Sequence, residues 1–193
     1  MSNIYIIAGC NGAGKTTASF TILPEMLDCK EFVNADEIAR GLSPFQPESV
    51  SFHAGRIMLE RIEELMSNKV DFAFETTLTT LSYTNTIRLA KKNGYTITLL
   101  YFWLNDVNLA IERVKNRVSE GGHNIPEETI IRRYYRGMHN LTNRFINICD
   151  YWIVINNSSR PHTFVAEGQF ETELRIYDDL IWQQIKSQPN EEN

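Results

Sequence analysis

The chain has 193 residues, 42% of them hydrophobic and 22% charged, which gives room for one core sheet covered by helices on both faces but not for a second full domain. No apolar run approaches the length that crosses a bilayer, and the net charge of −5 excludes the broad positive field of a nucleic-acid binder. The odd count of three cysteines (Cys10, Cys29, Cys149) lacks ligand spacing, so the residues point to a soluble protein of a reducing cytoplasm rather than to a disulfide or zinc scaffold.

Residues 4–8 form a β-branched and aromatic run that stops at glycine, with no export leader before it, and residues 15–27 then read as a helix. The alternation repeats: a strand at 32–34, a short helix at 37–40, a helix at 48–68, a strand at 70–75 and a helix at 82–93. Residues 95–104 are almost continuously apolar, as in a central strand buried on both faces, and Asp106 then caps a helix. Pro126 with two following glutamates opens another helix, expected to reach about residue 148. A strand at 151–155, a pair of strands within 164–176 and a helix through Trp182 complete the pattern. The expectation is an α/β, three-layer fold with a mainly parallel sheet, one domain over residues 1–188 and a disordered tail at 189–193.

Between the first strand and first helix stands Gly9-Cys10-Asn11-Gly12-Ala13-Gly14-Lys15-Thr16, the spacing G-x-x-x-x-G-K-T in its required context. Backbone N–H groups must converge on phosphate oxygens there, so the turn needs glycines where a Cβ would obstruct it. Gly9, Asn11, Gly12, Ala13 and Gly14 are the expected cradle for ATP, or GTP, with Lys15 between the β- and γ-phosphates. The Thr16 hydroxyl is the expected Mg²⁺ ligand, and Thr17 a further phosphate contact.

The acceptor side rests on three other segments. Asp36, following the second strand, faces the same crevice and can take a proton from an attacking hydroxyl; the alternative is that it only caps the next helix, while Asn34 orients. Glu75, Thr76 and Thr77 end a buried strand and are candidates to hold an acceptor sugar, or Mg²⁺ through water. Arg113, Arg117, Arg132, Arg133 and Arg136 flank a glycine-containing connection at 119–124 that reads as a lid. Of these, Arg117, Arg132 and Arg133 are favoured as the phosphate clamp, with Arg113 assigned to surface pairing. His123 in that connection reads as exposed, and His53, His139 and His162 show no ligand spacing; Phe72, Phe74, Phe102 and Trp103 read as core.

Taken in order, GCNGAGKTT, NADEIARGLSP, AGRIMLERIEEL, FAFETTL, ERVKNRVSEGGHNIPEETIIRRYYR and VINNS resemble the zeta-toxin-like family of P-loop kinases over roughly residues 3–160. The resemblance implies an ATP-dependent phosphotransferase acting on a hydroxyl of a nucleotide sugar of the UDP-N-acetylglucosamine type. It further implies Lys15 and Thr16 on the donor, Asp36 as base, Glu75 and Thr76 on the acceptor, Arg117 with Arg132 or Arg133 on the phosphates, and Asn156 beside the base. An antitoxin protein is a partner the family admits. The chain departs from the toxins after Asp36, where Ile38-Ala39-Arg40-Gly41-Leu42-Ser43-Pro44 replaces a shorter stretch containing His-Pro. A kinase for another small acceptor and a nucleotide-dependent ATPase or switch are the competing readings.

Overall fold

The computed structural model describes residues 2–122, 124–170 and 174–188. Strands β1 (Ser2–Gly9), β2 (Glu31–Val33), β3 (Phe72–Thr76), β4 (Tyr95–Trp103), β5 (Tyr151–Asn156), β6 (Thr163–Gln169) and β7 (Leu174–Ile176) form one sheet in the order β2-β3-β1-β4-β5-β6-β7. The first five run parallel, and β6 and β7 continue the sheet antiparallel beyond β5. Adjacent strand residues point to opposite faces, so the near-total burial of both Ile6 and Ile7 shows that both faces are covered. The same holds along β4 from Leu99 to Trp103. This is the α/β, mainly parallel architecture expected from the alternation of elements, and Phe72, Phe74, Phe102 and Trp103 all lie in its core.

The helices are α1 (Lys15–Thr21), α2 (Ala35–Leu42), α3 (Ser51–Ser67), α4 (Ser82–Lys92), α5 (Val107–Ser119), α6 (Glu127–Asn140) and α7 (Asp179–Lys186). Two are shorter than their sequence pattern. After Thr21 the backbone widens into a π-turn at Ile22–Met26, because Pro24 has no N–H to give the preceding turn and its ring crowds that carbonyl. After Asn140 a second π-turn, Leu141–Phe145, replaces the regular helix expected to reach about residue 148. The helix expected from residue 48 begins as a 3-10 turn at Pro47–Val50. Asp106 caps α5 as expected, its carboxylate accepting from the Asn108 N–H. The tail at 189–193 and His123 lie outside the described residues.

The order of strands fixes where a ligand can enter. The chain leaves β1 for β2 on one side, returns through β3, and then crosses to β4 on the other side. At such a reversal the connections after the parallel strands part and leave a crevice at their carboxyl ends. The segments after β1, β2, β3 and β5 all emerge at that rim.

Candidate active site

The loop leaving β1 is shaped by what cannot be there. Gly9 has φ +141°, and a Cβ on it would stand 2.3 Å from the carbonyl oxygen of Phe102 on β4. Gly12 has φ +78°, and its Cβ would meet the Ala110 carbonyl oxygen at 2.7 Å, so α5 packs directly on the loop. Positive φ and backbone contact together leave glycine as the unstrained residue at both positions.

Four side chains from three segments then converge. Lys15, 5% exposed, donates to the Cys10 carbonyl at 3.0 Å and lies 3.3 Å from Glu75 Oε1. The Thr16 hydroxyl donates to Glu75 Oε2 at 2.7 Å, and the Asn34 amide donates to the same oxygen at 2.9 Å. A carboxylate so enclosed needs this full set of donors, since burial of an unpaired charge is strongly unfavourable. Glu75, expected at the acceptor, therefore sits against the phosphate loop itself. Register explains it: Glu75 pairs with Ile7 on β1, two residues before the loop begins.

Asn34 has a second role. Its side-chain oxygen accepts from the N–H groups of Asp36 at 2.8 Å and Glu37 at 3.4 Å, so Asn34 caps α2 and not Asp36. The capping alternative for Asp36 is corrected accordingly, and α2 starts two residues earlier than expected. Asp36 is left exposed in the first turn of α2. Its negative charge is felt at half-buried Arg133 on α6; desolvation lowers the pKa of that guanidinium, the Asp36 charge raises it and neighbouring Arg132 lowers it. Arg133 Nη1 also donates to Asn11 Oδ1 in the loop at 3.1 Å. Arg132 is exposed, so of the two it is Arg133 that faces the cradle. The buried stripe Ile130, Tyr134, Gly137 and Met138 could have indicated this, since Arg133 lies three residues from Ile130 and four from Gly137.

Thr76 is nearly buried and its hydroxyl accepts from the Leu78 N–H at 3.1 Å, which shapes the turn after β3. Thr17 is exposed on α1, and Arg117 is half-buried near the end of α5, with Gly122 folded closely onto it. Asn156 Oδ1 accepts from the N–H and hydroxyl of Ser158, at 3.0 and 2.6 Å, and so forms the turn after β5. Its neighbour Asn157 reaches the loop instead, donating to the Ala13 carbonyl at 2.8 Å. Arg113, expected on the surface of α5, donates to the carbonyls of Asn157 and Ser158, each at 3.0 Å, and to that of Gly12 at 3.5 Å. Asn157 lies in the segment Asn156–Ser158 expected beside the base, and Arg113 was expected to pair on the helix surface; the contacts of both with the loop after β1 were not expected. Among the described residues no cluster of three or more His, Cys, Asp or Glu could hold a metal by itself, and no helix is long and apolar enough to cross a membrane.

Comparison with known proteins bears on the family and the fold. The family model for zeta toxin matches residues 2–160. An uncharacterized protein of Haemophilus influenzae is 33% identical over 128 residues, 65% of this chain and 88% of that protein. Among solved structures, the AvrRxo1-ORF1:-ORF2 complex with ATP superimposes with a TM-score of 0.78 at 15% identity, covering all of this chain and 66% of that one. This chain thus spans just under two thirds of that relative's length. The PezAT chromosomal toxin-antitoxin system of Streptococcus pneumoniae gives a TM-score of 0.61 at 16% identity, covering 97% of this chain and 85% of that one. At such identities the two structures establish the fold, and the match over residues 2–160 establishes the lineage: the chain belongs to the zeta toxin family.

Proposed function

We propose that this protein is an ATP-dependent kinase that transfers the γ-phosphoryl group to a hydroxyl of a small acceptor, a nucleotide sugar such as UDP-N-acetylglucosamine. The activity is assigned to residues 1–188 acting as one unit. Family membership and the kinase-type parallel sheet support the phosphotransferase. One observation carries the reading furthest: the donor loop, with Lys15 and Thr16 held on Glu75, lies opposite an exposed carboxylate, Asp36, with the Arg133 guanidinium between the two segments.

Asp36 takes the proton of the acceptor hydroxyl while that oxygen bonds to the γ-phosphorus; the bond from this phosphorus to the β–γ bridging oxygen breaks, and ADP leaves. Little covalent work falls to the protein in such a transfer, so positioning and charge stabilisation dominate. Lys15 turns from the Cys10 carbonyl and Glu75 toward the β- and γ-phosphates, and Arg133, with Arg117 and Arg132, stabilises charge on the transferring group. The Thr16 hydroxyl and the Glu75 carboxylate form a pair of hard oxygen donors that would hold Mg²⁺. When bound, that ion neutralises phosphate charge. An antitoxin is a proposed partner, supported by the likeness to the PezAT system. Three buried free cysteines support a cytoplasmic setting.

The test is incubation with Mg²⁺ and γ-labelled ATP or GTP across UDP-sugars, nucleotides and simple sugars. Label on UDP-N-acetylglucosamine that vanishes in Asp36→Asn, with ATP binding retained, supports the reading. Label on a different acceptor replaces the substrate and keeps the kinase, whereas hydrolysis without transfer, or equal transfer by Asp36→Asn, sinks the assignment of the base.

A further inference from the structure

The segment after β5 makes a second approach to the phosphate loop, from the side away from Glu75. Asn157 Nδ2 donates to the Ala13 carbonyl at 2.8 Å, and a Cβ on Gly14 would stand 2.6 Å from that same nitrogen. The Asn157 amide therefore lies directly over the loop. Its own backbone is fastened at two points, the N–H donating to the Trp103 carbonyl at 2.9 Å and the carbonyl accepting from Arg113, which also holds the next carbonyl, that of Ser158. The Ser158 hydroxyl accepts from the Asn105 N–H at 2.8 Å, which ties the same turn to the end of β4.

Planarity of the trans peptide gives this contact a directional consequence. The N–H of a residue points opposite to the carbonyl before it. A carbonyl of Ala13 drawn outward to Asn157 thus turns the Gly14 N–H inward, and the weaker pull of Arg113 on the Gly12 carbonyl does the same for the Ala13 N–H. That second N–H already points into the loop, donating to the Cys10 carbonyl at 3.2 Å. Phosphate oxygens are held by N–H groups aimed inward, so a tie on the outer carbonyls fixes the aim before any ligand arrives.

We propose that Asn157 is a positioning residue that preorganises the phosphate cradle, with Arg113 as the anchor that fixes Asn157. The inference rests on the assignment of the loop as a nucleotide site and adds to it that the segment after β5 acts on the phosphates through the loop. A residue contacting only the base would affect ATP and leave a base-free polyphosphate untouched. A residue that aims the N–H groups affects both equally.

The experiment is titration calorimetry of the full chain with Mg·ATP and with Mg·tripolyphosphate, for wild type, Asn157→Ala, Arg113→Met and Arg113→Lys. Thermal melting of each variant establishes that it is folded at the temperature of the titration. Asn157→Ala and Arg113→Met are expected to weaken both ligands by the same factor, about tenfold, the scale of one lost directional hydrogen bond. Arg113→Lys, which keeps a donor but loses the fork, is expected to recover part of that loss. A loss confined to ATP, or unchanged affinity for both ligands, overturns the proposal. Failure of the folded wild type to bind either ligand, or binding indifferent to Lys15→Ala, overturns the assignment of the loop itself and is thereby distinguished from failure of the positioning role.

Discussion

The ammonium of Lys15 lies 3.3 Å from the carboxylate of Glu75, both almost fully enclosed, so the lysine proposed to meet the phosphates is already paired with a negative charge carried by the sheet. This pair has a consequence for Mg²⁺. Glu75→Gln keeps the hydrogen bonds to Thr16 and Asn34 but removes the negative charge. The expected outcome is that ATP binding without Mg²⁺ strengthens by roughly severalfold as carboxylate–phosphate repulsion is relieved, while the gain on adding Mg²⁺ shrinks. Titration calorimetry with and without a chelator checks it; a variant that keeps the full Mg²⁺ gain counts against the Thr16–Glu75 metal site.

Lys15→Met leaves the opposite defect, a buried carboxylate with two neutral donors. ATP affinity is expected to fall by about a hundredfold and turnover to vanish, and combining it with Glu75→Gln is expected to restore thermal stability but not turnover. A double-mutant cycle on melting temperature and on activity separates the two effects.

Arg133 and Arg132 are adjacent in sequence and different in place. Arg133→Ala is expected to lower kcat by about a thousandfold, the scale of a lost phosphate-stabilising arginine, and Arg132→Ala by less than about tenfold. Steady-state kinetics on the acceptor found by the label transfer decides it, and the reverse order would mean that α6 rotates when ligands bind.

Burial pushes the Cys10 thiol up to about 11 and the Cys149 thiol up to about 12, against an ordinary value of 9.0. Lys15 and Arg113 pull the first down and do not overcome the desolvation. The folded state therefore holds these protons more tightly than the unfolded chain, so stability contributed by the neutral thiols is complete below pH 9 and declines as pH rises toward 11 and 12. Neither thiol is expected to react with a disulfide reagent at pH 8 until the protein unfolds. Reaction within minutes under native conditions would show that the loop opens.

Gly9→Ala places a methyl group against the Phe102 carbonyl at an unfavourable φ. A loss of about 2 kcal/mol or more is expected, with nucleotide binding impaired even where the fold survives. Chemical denaturation and calorimetry report the two quantities separately.

The phosphate loop was legible because its glycines record backbone geometry directly, and the alternation of apolar runs with helical periods was enough for the mainly parallel sheet. Glu75 was readable as a rim residue, but its turn toward Lys15 depends on the register of β3 against β1, which no local pattern carries. Arg113 was missed for a related reason. Its partners are main-chain carbonyls of Gly12, Asn157 and Ser158, and a carbonyl looks the same at every position of a sequence. The π-turn at Ile22–Met26 had a visible signal in Pro24, whereas the one at Leu141–Phe145 has no comparable residue.

The three-residue strand β2 bonds only to β3, at the margin of the sheet, and delivers Asn34 and Asp36 into α2. The donor loop, by contrast, hangs from β1 at the centre, braced on both sides. The segment proposed to meet the acceptor is thus mounted on a short edge strand. If that proposal holds, insertions or exchanges between β2 and α3 are expected to alter substrate choice while the loop after β1 stays fixed, which would give one scaffold the latitude to diverge among acceptors.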